Sequence, residues 1–99
     1  MENSKKLVWS ISAKDDLQNI YDHYSQFSLV AANKIIDGIM ESSSILEAPV
    51  NENIGQFDEY NNNFRRIISG NYKIFYKSFT EYILIVRVFD SRQNPVKSK

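Results

Sequence analysis

Three runs dense in β-branched and aromatic residues, at positions 64–69, 72–78 and 82–89, constrain this 99-residue chain more than any other feature. Ser69-Gly70-Asn71 and Phe79-Thr80-Glu81 separate them, which is hairpin spacing, and Gly-Asn is a strong tight-turn signal. An antiparallel meander is expected. If Gly70 and Asn71 form a two-residue loop, Ser69 faces Tyr72, and strand alternation puts Ile67, Tyr72, Ile74 and Tyr76 on one face with Arg66, Lys73, Phe75 and Lys77 on the other. The first set reads as core. For the last run, a three-residue turn predicts Tyr82, Leu84, Val86 and Val88 inward and Ile83, Ile85, Arg87 and Phe89 outward, whereas a two-residue turn reverses the parity. The outer face then mixes cations with bare apolar side chains, as recognition surfaces do.

Residues 6–11 alternate, with Leu7, Trp9 and Ile11 on one side, and predict a first strand. Ser12 stands three residues before Asp15, so its hydroxyl is placed to cap a helix whose dipole Asp15 complements. Leu17, Ile20, Tyr21 and Tyr24 form that helix's apolar face to about Phe27, with Asp15, Asp16, Asn19, Asp22 and His23 on the polar side. Ser28 caps a second helix. Ala32, Ile35, Ile36, Ile39, Met40, Ser43 and Leu46 continue the helical rhythm until Ala48-Pro49 stops it, and the short joint requires the helices to lie antiparallel. Gly38 interrupts it at a cost of about 1 kcal/mol relative to Ala. Residues 50–63 hold five Asn and one Gly without periodicity, and read as a loop. The result is a β-α-α-β-β-β order in one domain over residues 1–99: an α+β fold of two layers, a helical hairpin packed on a mainly antiparallel twisted sheet.

A chain of 11.5 kDa buries roughly 65% of its unfolded surface, so a core forms without crosslinks, and with no Cys there is no disulfide or thiolate chemistry. The longest run of large aliphatic side chains is residues 83–86, far too short to cross a membrane, and the first residues have no apolar signal region; a cytoplasmic protein is expected. Twelve basic and twelve acidic residues cancel, but unevenly. Residues 1–49 carry four Lys against seven acids, and residues 64–99 carry eight basic residues against two acids, so a local positive field survives in a neutral chain.

Neither a metal nor another cofactor is expected. Asp22 and His23 point about 100° apart on a helix and no second His exists. A Gly-rich phosphate loop, a Ser/His/Asp set and a paired-carboxylate motif are all lacking. Tyr21, Tyr24, Tyr72 and Tyr76 belong by periodicity to core faces. Arg87 interrupts an apolar strand, which requires either a working surface or a structural ion pair.

Several stretches, in order, carry a resemblance. Val8-Trp9-Ser10 is followed by Ala13, by Asp16-Leu17 beside Ile20-Tyr21, and by Arg65-Arg66. Tyr72-Lys73-Ile74-Phe75-Tyr76 is similar to the signature Y-R-I-x-Y, and the stretch from Ile85 through Arg87, Val88 and Asp90 to Arg92 is similar to I-x-R-V-x-H-x-R. Over nearly its full length the chain resembles the RelE/ParE toxin superfamily of type II toxin–antitoxin modules. The resemblance implies a toxin held silent by a cognate antitoxin. RelE-like members cleave mRNA on the ribosome, and ParE-like plasmid-stabilisation toxins inhibit DNA gyrase. An RNase would draw on Arg66, Lys73 and Arg92, yet Asp90 stands where His is frequent and residues 93–99 lack the Tyr common in that branch. The ParE-like reading is therefore preferred, the alternatives being a metal-independent endoribonuclease acting on ribosome and mRNA, or a non-toxic binding relative. Its target surface is expected at Arg65, Arg66, Lys73, Lys77, Arg87, Phe89, Asp90 and Arg92, and an antitoxin groove at Ile35, Ile36, Ile39 and Met40.

Overall fold

Strand β5, Tyr82–Asp90, is the longest strand and the one against which the two ends of the fold meet. The computed structural model describes residues 5–48, 56–57 and 64–91, the pair 56–57 as backbone only. On one flank β5 pairs antiparallel with β4, Tyr72–Ser78; on the other it pairs in parallel with β1, Lys6–Trp9, whose last residue lies opposite Ile85. Strand β4 pairs with β3, Arg65–Ser69, and β3 with a two-residue β2, Gln56–Phe57, giving the order β1-β5-β4-β3-β2. Among the described residues the sheet is thus mixed, with one parallel pair. Strand β2 falls within the segment expected to be loop: two paired residues generate too little alternation to read. The rest of residues 49–63 lies outside the described residues.

The first hairpin matches expectation. Ser69 opposes Tyr72, Ile67 opposes Ile74, and Gly70 takes the left-handed conformation, φ 58°, that the two-residue turn requires. The second hairpin departs from the three-residue turn. The Phe79 N–H donates to the Tyr82 carbonyl at 2.8 Å and the two rings stack 4.8 Å apart, so only Thr80 and Glu81 form the loop. Parity follows: Ile83 and Ile85 are buried rather than outward, while Tyr82, Leu84 and Val86 are not core residues. A bulge then reverses the phase. Tyr76 faces Ile85 but Phe75 faces Arg87, leaving Val86 without an opposite number, so Val88 still turns inward as expected and Arg87 and Phe89 stay on the outer side.

Helix α1, Ile11–Ser25, begins two residues earlier than the Ser12 cap predicts. Its cap is Ser10, whose hydroxyl accepts from the Ala13 N–H at 2.9 Å and donates to the Val86 carbonyl at 2.7 Å. Ser10 serves the helix end and the strand edge together, which Ser12 cannot, and Ile11 becomes an exposed first helical residue. Ser28 caps α2, Leu29–Ser44, as expected, accepting from the Ala31 N–H at 3.1 Å. A single 3-10 turn, Ile45–Glu47, delivers Leu46 to the interior.

Both helices cover one face of the sheet, α1 packing against β5 and α2 against β3 and β4. The core joins Tyr72, Ile74, Tyr76, Ile83, Ile85 and Val88 to Ala13, Ile39 and Leu46, with Leu17, Ile20, Tyr24 and Ile35 packed around them. Gly38 is not required by close packing, since a Cβ there would sit 3.7 Å from the Ser69 hydroxyl, an ordinary contact. Gly38→Ala is therefore expected to stabilise the chain by about 0.5–1 kcal/mol, read as a higher denaturation midpoint in a urea titration. A loss of stability would show that the helix approaches the sheet more closely than this geometry allows.

Candidate functional site

Three antiparallel strands in register lay out the face away from the helices. One cross-strand row is Arg66, Phe75 and Arg87; the next is Ile68, Lys73 and Phe89. Phe75 is 6% exposed, more deeply set than a bare outer position should be, with the Phe89 ring edge-on at 5.5 Å between centroids. Its neighbours in the row are two arginines, whose long stems can pack along apolar surface. Lys77 lies 5.9 Å from the Phe64 ring and 5.7 Å from the Phe79 ring, a weaker version of the same pairing.

Arg87 is held by an aromatic ring and by a carboxylate. Its guanidinium lies 4.5 Å from the centre of the Phe89 ring. Its Nε and Nη2 donate to the two carboxylate oxygens of Asp16 at 2.8 and 2.9 Å, the fork geometry that suits arginine. The same carboxylate accepts the Val88 backbone N–H at 2.8 Å. The hydrogen bond from Arg87 to Asp16 raises the Arg87 pKa above its already high ordinary value; partial burial opposes this and Coulomb attraction to Asp16 adds to it. Because the folded pKa is raised, the part of the stabilisation linked to the Arg87 proton is present below the ordinary arginine value and is lost as pH rises through the folded one.

Asp16 is the residue that sequence reasoning missed. It was assigned to the polar side of its helix, but Ala13, Asp16, Leu17, Ile20 and Tyr24 share a helical stripe, and Asp16 is 12% exposed at the edge of that stripe, beside β5. An acid within an apolar stripe, matched to an arginine within an apolar strand, was the available signal. Between α1 and the end of β5 an open groove of about 450 Å³ is lined by Asp16, His23, Tyr24, Tyr72, Arg87 and Asp90.

The expected target residues are thus divided. Arg66, Lys73, Lys77, Arg87 and Phe89 belong to the outer face, whereas Arg65 lies opposite Tyr76 and Asp90 opposite Tyr72, both on the helix-side parity. Arg92 lies outside the described residues. Of the RNase set, Arg66 and Lys73 occupy neighbouring rows of one face. Of the expected antitoxin residues, Ile39 is buried in the core, Ile36 is half-buried and Met40 is exposed, while Ile35 lines a cleft between α2 and the Gly70 turn together with Tyr24, Gly38 and Ser69. Among the described residues no cluster of three or more His, Asp or Glu could hold a metal, and no helix is long and apolar enough to cross a membrane.

The family model described as the ParE toxin of type II toxin–antitoxin system, parDE, matches residues 7–95. The chain belongs to the ParE toxin family. A solved chain described as the chromosomal ParDE TA system from P. aeruginosa has the same fold, with a TM-score of 0.77 over 88% of this chain and 96% of that one, at 24% identity. No curated protein sequence matches the chain. In this ParE-family toxin the α1–β5 joint is expected to be the most sensitive part of the surface. Asp16→Ala, which strands the Val88 N–H and the guanidinium together, is expected to cost about 2–3 kcal/mol. Arg87→Ala, at a site 41% exposed, is expected to cost about 1 kcal/mol or less. The two losses, measured by urea denaturation, should not add; full additivity would show that the pair is not formed in solution.

Proposed function

We propose that this ParE-family chain inhibits DNA gyrase by binding it, and that a cognate antitoxin keeps it silent in the cytoplasm. The outer sheet face carries the reading. Its rows set Arg66 and Arg87 on either side of a buried Phe75, beside an exposed Ile68 and half-buried Lys73 and Phe89, a mixture of apolar surface and cations suited to a protein interface. Cleaving RNA would need a group that takes a proton from a ribose hydroxyl and another that returns one to the leaving oxygen. The two rows themselves offer cations for phosphate; the His23, Tyr24, Tyr72 and Asp90 side chains line the groove at the Arg87 end instead, where the Asp16 carboxylate is already engaged by Arg87 and the Val88 N–H and His23 lies edge-on to Tyr24 and Phe27 at 4.8 and 5.7 Å.

An antitoxin has a place to bind in the cleft beside Ile35, where apolar walls meet Lys34 and the Ser69-Gly70-Asn71 turn; an amphipathic segment with an acid near that lysine fits its chemistry. The P. aeruginosa relative is described as a ParDE system, which supports such a partner here.

Inducing the chain alone is expected to arrest growth, with DNA-damage signalling, intact transcripts and loss of supercoiling activity by purified gyrase. Co-expressing the neighbouring reading frame should restore growth. Transcripts cut at codon boundaries, with gyrase unaffected, would replace this reading with a ribosome-dependent RNase, and unchanged growth despite soluble protein would remove the toxin reading altogether.

A further inference from the structure

Strand β1 stops at Trp9, opposite Ile85, but β5 continues to Asp90, so the flank of β5 beyond Ile85 needs other partners. Asp16 supplies one, through the Val88 N–H, and its carboxylate is thereby tied to the strand rather than left to swing on the helix surface. With that anchor in place, its two oxygens hold Arg87 from one side while the Phe89 ring lies against the guanidinium at 4.5 Å. Two of the five N–H groups of Arg87 are used in this way. The other three make no hydrogen bond among the described residues, and the side chain is 41% exposed.

Stability alone accounts poorly for this arrangement. An ion pair whose arginine is 41% exposed contributes little to folding, and the strand flank could be capped by Asp16 without any arginine. The arrangement does, however, remove most of the motion of a long side chain before it meets anything, which is the cost that binding ordinarily has to meet. It also cancels the charge. Asp16 is matched one to one with Arg87, so the arginine presents its remaining donors with its charge compensated.

We infer that Asp16 is a positioning residue: it turns Arg87 into a fixed, charge-compensated fork whose free edge donates to oxygen acceptors on the toxin's protein target. The inference rests on the target-binding reading above and adds to it a residue that touches no target. With its charge matched by Asp16, Arg87 attracts a phosphate backbone less than a free cation would, whereas the backbone carbonyl or amide oxygens of a protein need only its donors.

The test uses the full chain and purified gyrase, with Asp16→Asn, Arg87→Ala, Arg87→Lys and the Asp16→Asn/Arg87→Ala pair, each assayed where thermal melts show it fully folded. Asp16→Asn is expected to weaken binding about tenfold, close to the effect of Arg87→Ala, and the double variant should bind no worse than Arg87→Ala alone. Arg87→Lys keeps the charge but not the fork and should fail to rescue. By NMR, the Arg87 Nε–H resonance should be shifted and slow to exchange in the wild type, and should return to the free-arginine position in Asp16→Asn. A folded Asp16→Asn that binds like wild type, or one whose loss persists undiminished without Arg87, overturns the inference. If the wild type arrests growth without binding gyrase, the target assignment falls, and the same variants are then compared by the inducer dose that arrests growth, with the same pattern expected. A wild type that arrests nothing overturns both.

Discussion

A parallel strand pair that ends before its longer member leaves backbone groups facing an empty flank, and in this chain everything near the functional surface depends on how that flank is filled. Ser10 and Asp16 fill it with side chains. The Ser10 N–H donates to the Ile85 carbonyl at 3.0 Å, its hydroxyl to the Val86 carbonyl at 2.7 Å, and the Asp16 carboxylate takes the Val88 N–H. Because Ser10 also caps α1, the helix must leave the sheet at that point, and Asp16, a turn and a half further on, arrives beside Val88. The strand edge, the helix start and the arginine are one connected set of hydrogen bonds.

The bulge at Val86 is the second part of the same device. Without it, strand alternation would carry the phase of Ile83 and Ile85 onward and put Arg87 into the core, where an unpaired cation is costly, with Val88 outside. One extra residue lets the first half of β5 bury Ile83 and Ile85 and the second half bury Val88, while Arg87 and Phe89 join Phe75 on the far side. The deviation from regular pairing sits where the surface chemistry is, as bulges commonly do.

This explains why the sequence was legible in some places and not in others. Hydrophobic period and turn chemistry are local, so the β3–β4 hairpin, the Ser28 cap and both helices could be read from neighbouring residues; so could the two-layer architecture, since each face had to find a partner. The facing of β5 depended on a two-residue turn at Thr80-Glu81 and on an extra residue at Val86, and neither has a distinctive local signature: the inward expectation for Tyr82, Leu84 and Val86 failed for that reason. Asp16 was invisible for a different one. Its partner is 71 residues away, and on a helical wheel an acid beside the apolar stripe looks like an acid exposed to water.

The division of charge takes on a physical meaning through this pair. The acidic first half and the basic last third are joined where Asp16 meets Arg87, so the neutrality of the whole chain is partly a local neutralisation at this pair. Arg66, Lys73 and Lys77 belong by register to the outer face of the sheet. Such a surface attracts weakly over long range and discriminates by fit at short range, because fields from opposed halves cancel beyond a Debye length of about 8 Å while hydrogen-bond geometry does not.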